Sequence, residues 1–336
     1  MGKKKLKVSA NQPVILNFLR NAPAKLWECA QEARQRFWRN KIFMRGIIEF
    51  SNYCCQNCLY CGLRKDNHEL GRYRLKREQI LQQAAIIKEL GIGTVVLQSG
   101  EDASISREFV SDLVSTIKNG LGLAVTLSVG ERDKADLKAW RQAGADRYLL
   151  KMETFDPDLY GRLRPGADMA ERLDQIKTMQ DMGYESGSGI ISGIQDMNRL
   201  AEDVDRLLQL QLDMISIGPF IPHPQTPLKD WPAGDPEVNL RALAVLRIHA
   251  PQAHIPVTSA LALYGDAIKN RALSMAANVI MPSLTPEEVR GAYQIYPGKN
   301  MSETTPGLRA WLMRERLMEQ GFELPDGPGR AWRLDN

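Results

Sequence analysis

The stretch Ser51-Asn-Tyr-Cys54-Cys-Gln-Asn-Cys58-Leu-Tyr-Cys61 holds four of the five cysteines of this chain. Cys54, Cys58 and Cys61 stand in C-x3-C-x2-C spacing, with the aromatic Tyr60 before the last of them. Three thiolates on one short loop suit three corners of a [4Fe–4S] cluster. The fourth iron would then be open to another ligand, and we expect the chemistry of the protein there.

The composition is that of a soluble globular protein, with 43% apolar and 25% charged residues among 336. A net charge of only +4 does not suggest a nucleic-acid-binding protein. No apolar run approaches the roughly 18 residues of a membrane span. The basic start, Met1-Gly-Lys-Lys-Lys-Leu-Lys7, lacks the apolar region of a secretory signal and is predicted to be a solvated tail. Clustered free cysteines without an export signal favour a cytoplasmic protein.

Outward from the cysteine loop, short apolar runs alternate with amphipathic ones, which predicts a parallel α/β sheet. The helical stripes include Val110, Leu113, Val114 and Ile117, expected to end at Asn119-Gly120. Leu200, Val204, Leu207 and Leu208 form another such stripe. The eight predicted strands are residues 46–50, 94–98, 123–128, 147–151, 187–192, 213–218, 255–259 and 278–281.

Eight such repeats are most simply closed as a (β/α)8 TIM barrel, and an open doubly wound sheet is the alternative. We expect one domain over residues 1–336. Residues 1–42 would form an N-terminal helical cap, 43–297 the barrel, and 298–336 a C-terminal helical extension.

Polar and conformationally special residues follow several of the predicted strands, where barrels carry their active sites. Ser99-Gly-Glu-Asp102 follows the second strand, Glu153 the fourth and Gly193 the fifth. A proline-rich segment over 219–227 follows the sixth strand, and Thr258 stands at the end of the seventh.

Alternation within the strands places charged residues inside the barrel. In the fourth strand, Arg147 and Lys151 share the face opposite the apolar Tyr148 and Leu150, so we expect both cations to point into the lumen. The same counting directs Arg45, Glu49, Gln98, Thr126, Ser128 and Thr258 inward. This predicts a cavity that receives a small anionic ligand. The alternative is a set of buried ion pairs, such as Arg45 with Glu49.

Zinc is the inorganic alternative to an iron–sulfur cluster at the cysteine loop. A structural zinc site takes four ligands, and the nearest further candidates are Cys55 and His68. Cys55 adjoins Cys54 and is poorly placed to bind the same ion, while His68 is expected in an exposed loop. Cys29 is expected to be an ordinary core residue. A non-enzymatic zinc-binding module remains the distant alternative function.

The cysteine motif resembles that of the radical S-adenosylmethionine (radical SAM) superfamily. Longer strings over roughly residues 35–300 resemble the HydE family of [FeFe]-hydrogenase maturases, whose relatives include biotin synthases and methylornithine synthases. These strings include Cys58-Leu-Tyr-Cys-Gly-Leu-Arg-Lys-Asp-Asn67, Val96-Leu-Gln-Ser-Gly-Glu-Asp102, Leu163-Arg-Pro165, Ile217-Gly-Pro-Phe-Ile-Pro-His-Pro224 and Tyr296-Pro-Gly-Lys299.

The resemblance implies a role for each of these positions. Cys54, Cys58 and Cys61 would hold a [4Fe–4S] cluster, and SAM would chelate its open iron. The SAM-binding set would be Tyr60, Gln98, Ser99, Gly100, Glu101, Glu153, Arg172, Gly189 and Gly193. Arg172 would pair with the SAM carboxylate, and the two last glycines would let the backbone approach the adenine. The simpler interpretations are a surface arginine and glycines needed for barrel packing.

The implied reaction is reductive cleavage of SAM to a 5′-deoxyadenosyl radical, with electrons from a flavodoxin- or ferredoxin-type donor. In HydE proteins the radical acts on a cysteine-bound Fe(CO)2CN complex made by HydG, and HydF is a further possible partner. Arg147, Lys151, Thr126 and Thr258 would hold that substrate.

Two features depart from the family pattern. No cysteine follows Cys61, so no second cysteine-ligated cluster is expected, and a biotin synthase is disfavoured for the same reason. Lys151 and Met152 stand where arginine and histidine are expected, which leaves the exact substrate open. A methylornithine-synthase-like mutase acting on an amino acid is the alternative enzyme.

Overall fold

The structure is a computed structural model that describes residues 12–299 and 304–335. The solvated N-terminal tail expected at residues 1–7 therefore lies outside the described residues. Among the residues described, no helix has the length and apolar character needed to cross a bilayer.

Parallel strands alternate with helices through most of the chain, which confirms the predicted α/β architecture. The strands are β1 (Phe43–Met44), β2 (Gly46–Ser51), β3 (Thr94–Ser99), β4 (Ala124–Ser128), β5 (Arg147–Leu149), β6 (Glu185–Ser192), β7 (Met214–Pro219) and β8 (Val279–Ile280). The helices are α1 (Gln12–Asn21), α2 (Ala24–Trp38), α3 (Arg77–Glu89), α4 (Arg107–Thr116), α5 (Lys134–Ala143), α6 (Pro157–Leu163), α7 (Met169–Asp181), α8 (Met197–Gln209), α9 (Pro236–His249), α10 (Ser259–Ala262), α11 (Asp266–Met275), α12 (Glu287–Arg290), α13 (Pro306–Glu319) and α14 (Trp332–Asp335).

The strands form a six-stranded parallel sheet, β2-β3-β4-β5-β6-β7, and a two-stranded pair, β1-β8. Isolated parallel bridges join the two sheets: Met214 pairs with His254, Pro256 with Val279, and Ile47 with Ser283. Backbone pairing therefore runs from β2 round to β8 and back to β2. The predicted seventh strand, residues 255–259, is wrong as a strand, because this segment makes only bridges and Ser259 already begins α10.

Side-chain caps set the starts of most helices that follow strands. The aspartates Asp133, Asp156, Asp168, Asp196 and Asp235 each accept a hydrogen bond from a backbone N–H in the first turn of a helix. Each bond satisfies one donor that a helix N-terminus otherwise leaves free. The helices thereby begin at defined points along the chain.

The helix stop expected at Asn119-Gly120 is wrong. The chain continues from α4 through a π-helical turn over Ile117–Leu121 and leaves it at Gly122, which adopts a left-handed conformation with φ 71°. Ile117 stays fully buried in this turn, so burial of the apolar face outweighs the unfavourable helix propensity of Asn119 and Gly120.

The N-terminal helices pack on the outer helical layer, α1 against α8 and α9, and α2 against α9 and α11. The segment after α13 packs at the amino-terminal ends of the barrel strands. Its residues 328–330 offer backbone carbonyls to Thr94, Arg147 and His254, whose side chains lie inside the barrel. The end of the chain therefore closes the amino-terminal side of the strands.

Candidate active site

A cavity of about 340 Å³ lies inside the ring of strands, reaching from the cysteine loop into the lumen. Most of the residues that the sequence analysis assigned to the site line this cavity. They are Cys54, Cys58, Tyr60, Cys61, Gln98, Ser99, Gly100, Glu101, Thr126, Lys151, Glu153, Arg172 and Thr258. The fold thus gathers residues from six separate loops and strands around one space.

The cysteine loop is held by backbone hydrogen bonds to its neighbours. The amide of Cys55 donates to the carbonyl of Glu101 at 2.8 Å, and that of Leu59 donates to the carbonyl of Leu163 at 2.9 Å. The amide of Asn52 donates from its side chain to the carbonyls of Gly71 and Ala292, at 2.8 and 2.9 Å. Because these bonds join the loop to three other segments, its cysteines are presented from a rigid support.

The three motif cysteines are free thiols beside one another. Cys58 is buried, Cys54 and Cys61 are half-buried, and Cys55 is exposed. Burial raises the pKa of Cys61, and the neighbouring thiolates of Cys58 and Cys54 raise it further. Burial likewise raises the pKa of Cys58, although Arg164 opposes the change. These thiols therefore need a metal or a cation to become thiolates near neutral pH.

The donor set fits an iron–sulfur cluster better than a single ion. Thiolates are the usual ligands of iron–sulfur clusters, and each binds a different iron of the cube. A single zinc ion instead draws four ligands together at bonds of about 2.0–2.3 Å. Within residues 12–299 and 304–335, no three His, Cys, Asp or Glu side chains are grouped as ligands of one ion. Cys54, Cys58 and Cys61 would therefore hold the cluster.

The turn after β3 contributes the next side of the cavity. A Cβ atom on Gly100 would lie 2.2 Å from the carbonyl oxygen of Tyr53, so only glycine lets this turn pass so close to the cysteine loop. Glu101 accepts hydrogen bonds from the Gln56 side chain and from the amide of Glu131, and thereby connects the loop to the strands. Gln98 donates to the hydroxyl of Tyr293 at 3.0 Å.

Lys151 and Glu153 meet in the cavity, with Lys151 Nζ 2.9 Å from Glu153 Oε2. Glu153 adopts a left-handed backbone conformation with φ 70°, which is strained for a residue with a side chain. Buried Asp203 supports this conformation just downstream, where it accepts hydrogen bonds from the Thr154 hydroxyl and the amide of Phe155. Asp203 is thus a positioning residue that the sequence analysis did not find.

Arg172 reaches the cavity from α7 and is already bonded to protein groups. Its Nη1 donates to Glu131 Oε1, and its Nε donates to the backbone carbonyl of Lys151 at 2.7 Å. Arg164, from the Leu163-Arg-Pro165 string, also lines the cavity although it received no role from the sequence. The sequence pointed to Arg164 only through Leu163-Arg-Pro165, one of the strings that resemble the HydE family.

Three nominated residues are not among those that line the cavity. Arg147 is fully buried in an ion pair with Glu185 at 2.7 Å and donates to the carbonyls of Pro328 and Gly329, so its charge is used in closing the barrel. A Cβ on Gly189 would meet Ser216 Oγ at 2.0 Å, and one on Gly193 would meet Gly234 Cα at 2.4 Å. Close packing of the strands and loops accounts for both glycines.

The suggested ion pair between Arg45 and Glu49 is wrong. Arg45 donates to the sulfur of Met214 and to the carbonyl of Gly329, at 3.0 and 3.3 Å. The partner of buried Glu49 is Lys299, with Lys299 Nζ 2.9 Å from Glu49 Oε1. Lys299 itself lines the cavity, and the sequence analysis assigned it no role.

Thr126 is the clearest indication that the cavity binds a polar ligand. Its side chain is 2% exposed and lines the cavity, and its hydroxyl has no hydrogen-bond partner among the described residues. A buried hydroxyl without a partner costs about 1–3 kcal/mol, which a bound polar ligand would offset. Thr258 lines the same space while its hydroxyl caps α10 by accepting from the amide of Leu261 at 3.3 Å.

The burial of Asp203 should show in the pH dependence of stability. Burial raises the pKa of Asp203 from 3.8 to about 6. The folded chain therefore holds this proton more tightly than the unfolded chain, and the stability gained is lost as pH rises from about 4 through 6. The loss corresponds to about 3 kcal/mol. Denaturant titrations between pH 4 and 7 should show a decline that is smaller by about this amount in Asp203→Asn. Equal declines in the two proteins would contradict the assignment.

The chain is similar in sequence and fold to several known proteins. Residues 48–208 match the model of the radical SAM superfamily. The chain is 44% identical over 276 residues to the [FeFe] hydrogenase maturase subunit HydE of Thermotoga maritima, covering 82% of this chain and 79% of that one. It is 32% identical over 261 residues to 3-methylornithine synthase of Methanosarcina acetivorans, covering 76% and 73%.

The crystal structure of the methylornithine synthase PylB superposes with a TM-score of 0.84 at 25% identity, covering 98% of this chain and 97% of that one. Fold, cysteine motif and relatives therefore agree: the chain belongs to the radical SAM superfamily and is an enzyme close to the hydrogenase maturase HydE.

Proposed function

We propose that this enzyme acts in assembly of the [FeFe]-hydrogenase active site, on a cysteine-bound Fe(CO)2CN complex. The observation that carries the proposal is the 44% identity to HydE over most of both chains. The polar, partly cationic lumen supports it, because such a complex is a small anion. HydG, as the source of the substrate, and HydF are the proposed partners, with a flavodoxin- or ferredoxin-type electron donor.

The residues of the cavity divide into two groups in this proposal. Near the cysteines, Tyr60, Gln98, Ser99, Gly100, Glu101, Glu153 and Arg172 hold SAM. When bound, the cluster and SAM supply one-electron cleavage of SAM to a 5′-deoxyadenosyl radical. Gly189 and Gly193 act through packing, since their neighbours fill the space beside them. The enclosing strands keep water away from the reaction.

Deeper in the cavity, Lys151, Thr126 and Thr258 are the proposed substrate ligands. Lys151 supplies the positive charge that an anionic carboxylate or cyanide requires, and Glu153 orients it. The unpaired hydroxyl of Thr126 supplies a hydrogen-bond donor in the same cavity. Arg147 is left out of this group because its donors serve Glu185 and the C-terminal carbonyls.

A second candidate is a mutase resembling methylornithine synthase. It is favoured by the structural match to PylB over almost the whole of both chains. The absence of any cysteine after Cys61 also fits an enzyme with a single cluster. The substrate would then be an amino acid, whose carboxylate Lys151 would hold in the same way.

In vitro maturation of an [FeFe] hydrogenase distinguishes the two candidates. The purified enzyme should replace HydE in a mixture that contains HydG, HydF, SAM and a low-potential reductant, and yield active hydrogenase. A parallel reaction with lysine should give no methylornithine. Failure to support maturation, together with conversion of lysine, would overturn the maturase proposal in favour of the mutase.

Lys151→Ala tests the division of the cavity. The variant should lower substrate turnover by about 10-fold or more, since loss of a hydrogen bond to a charged group typically costs about 1.5–3 kcal/mol. Uncoupled cleavage of SAM, measured as 5′-deoxyadenosine without substrate, should stay close to that of the unaltered enzyme. Lys138→Ala, at an exposed position on α5, is the matched control. Normal turnover by Lys151→Ala would remove this lysine from the substrate site.

A further inference from the structure

A second arginine lies at the cysteine end of the cavity. The turn after α6 is joined to the cysteine loop by the hydrogen bond from the Leu59 amide to the Leu163 carbonyl, at 2.9 Å. The next residue, Arg164, turns its side chain inward, where it is only 3% exposed and lines the cavity. A guanidinium group is therefore held beside the loop that carries Cys58.

The guanidinium of Arg164 is poorly satisfied by the protein. Its Nε has no hydrogen-bond partner among the described residues. Its Nη2 is 3.6 Å from Glu131 Oε1 and 3.9 Å from Glu101 Oε2, beyond normal hydrogen-bond distance. Both carboxylates are already engaged, Glu131 by Arg172 and Glu101 by Gln56.

Such a group is expensive to bury. A charged side chain without hydrogen-bonded partners is destabilising by several kcal/mol, so buried charges in folded proteins are normally paired. The distances to Glu101 and Glu131 allow electrostatic attraction, but the Nε donor of Arg164 stays without a hydrogen-bond partner among the described residues. A further anion in the cavity would satisfy them.

The comparison with Arg172 strengthens this conclusion. Arg172 points into the same cavity, but its Nε and Nη1 are bonded to Lys151 and Glu131. Arg164 is the arginine with the unsatisfied donor. The two arginines are thus different in function, although both line the wall beside the cysteines.

We propose that Arg164 is a positioning residue that binds an anionic group at the cysteine end of the cavity. The group is either the thiolate-ligated cluster, whose net charge is negative, or the carboxylate of SAM. This inference rests on the proposed binding of both by the cavity. A neighbouring positive charge favours the reduced, more negative state of a cluster, and a guanidinium also suits a carboxylate.

The test compares Arg164→Gln with Arg162→Gln, which removes an exposed arginine from the preceding helix, α6. Iron content is measured first, and both variants should match the unaltered enzyme. The midpoint potential of the cluster is then determined without SAM by an EPR-monitored redox titration. The dissociation constant of SAM is determined by calorimetry on the oxidised enzyme.

If Arg164 acts on the cluster, Arg164→Gln shifts the midpoint potential to more negative values. If it binds the SAM carboxylate, the dissociation constant rises about 10-fold or more. Arg162→Gln should change neither quantity. Arg164→Lys keeps the charge and should restore most of a shift in potential. It also serves as the test variant if Arg164→Gln does not fold, since loss of the planar fork should still weaken the binding of a carboxylate.

An iron-replete Arg164→Gln variant with unchanged potential and unchanged SAM affinity would overturn the inference. If the unaltered enzyme itself binds no iron and no SAM, the proposed function fails instead, and the two results are thereby distinguished.

Discussion

Replacing Cys58 by alanine is expected to leave a chain with less than one iron atom, compared with about four in the unaltered protein. Cys58 is the buried member of the motif, and the other two thiols share its cavity. Two thiolates bind only two corners of the cube and should not retain it. Cleavage of SAM should be lost with the cluster.

Iron and sulfide content, with formation of 5′-deoxyadenosine under dithionite, measures this effect after anaerobic purification. Cys55→Ala is the matched control, because Cys55 adjoins Cys54 but is exposed. Cys29→Ala is a second control at a half-buried position in α2. A Cys58→Ala protein that keeps about four irons and cleaves SAM would refute the assignment of the motif.

Arg147→Met should have the largest effect on stability, lowering the free energy of unfolding by about 3–5 kcal/mol. Arg147 is fully buried, and its removal leaves the buried Glu185 without the cation 2.7 Å from it. It also removes donors from the carbonyls of Pro328 and Gly329. An uncompensated buried carboxylate is far more costly than the loss of an exposed ion pair.

Denaturant titration at neutral pH measures this change. Arg77→Met is the matched control, because Arg77 pairs with Asp112 at 2.5 Å on the surface, where both side chains are 40% or more exposed. Exposed pairs contribute about 0–1 kcal/mol, so this variant should remain close to the unaltered protein. Faster amide exchange in residues 329–331 of Arg147→Met would locate the loss at the C-terminal segment. Equal effects of the two substitutions would contradict the closing role of Arg147.

Local patterns were enough to predict the parallel α/β fold and the place of the motif cysteines beside the cavity. The apolar runs before the loops became strands, with boundaries within a few residues, because burial on both faces selects continuous apolar sequence. The strand predicted over 255–259 was wrong because Thr258 caps α10 there, and a capping residue at the end of an apolar run ends a strand early. The helix stop predicted at Asn119-Gly120 was wrong for a different reason. Burial of Ile117 outweighed the low helix propensity of these two residues, so the chain continues through the π-helical turn at 117–121.

Arg147 and Lys151 show the limit of reasoning from one strand. Both were expected to face the lumen, and alternation alone gives them equal roles. Lys151 lies in the cavity beside Glu153, while Arg147, four residues earlier, lies against Glu185 and residues 328–329. The two residues differ in their position along the barrel axis. Arg147 lies where the C-terminal segment packs against the barrel, and residues 328–329 of that segment accept its hydrogen bonds.

The sequence by itself determined the clustering of the cysteines, the parallel strands and most of the residues that meet at their carboxyl ends. These follow from spacing and periodicity within short segments, where the backbone geometry dictates which side chains share a face. Only the tertiary structure decided which buried charges were free to act. Glu49 forms an ion pair with Lys299, and Arg147 forms one with Glu185. The Nε donor of Arg164 has no hydrogen-bond partner among the described residues. The physical reason is that ion pairing in a buried interior is set by contacts between segments distant in the chain, and no local pattern records them.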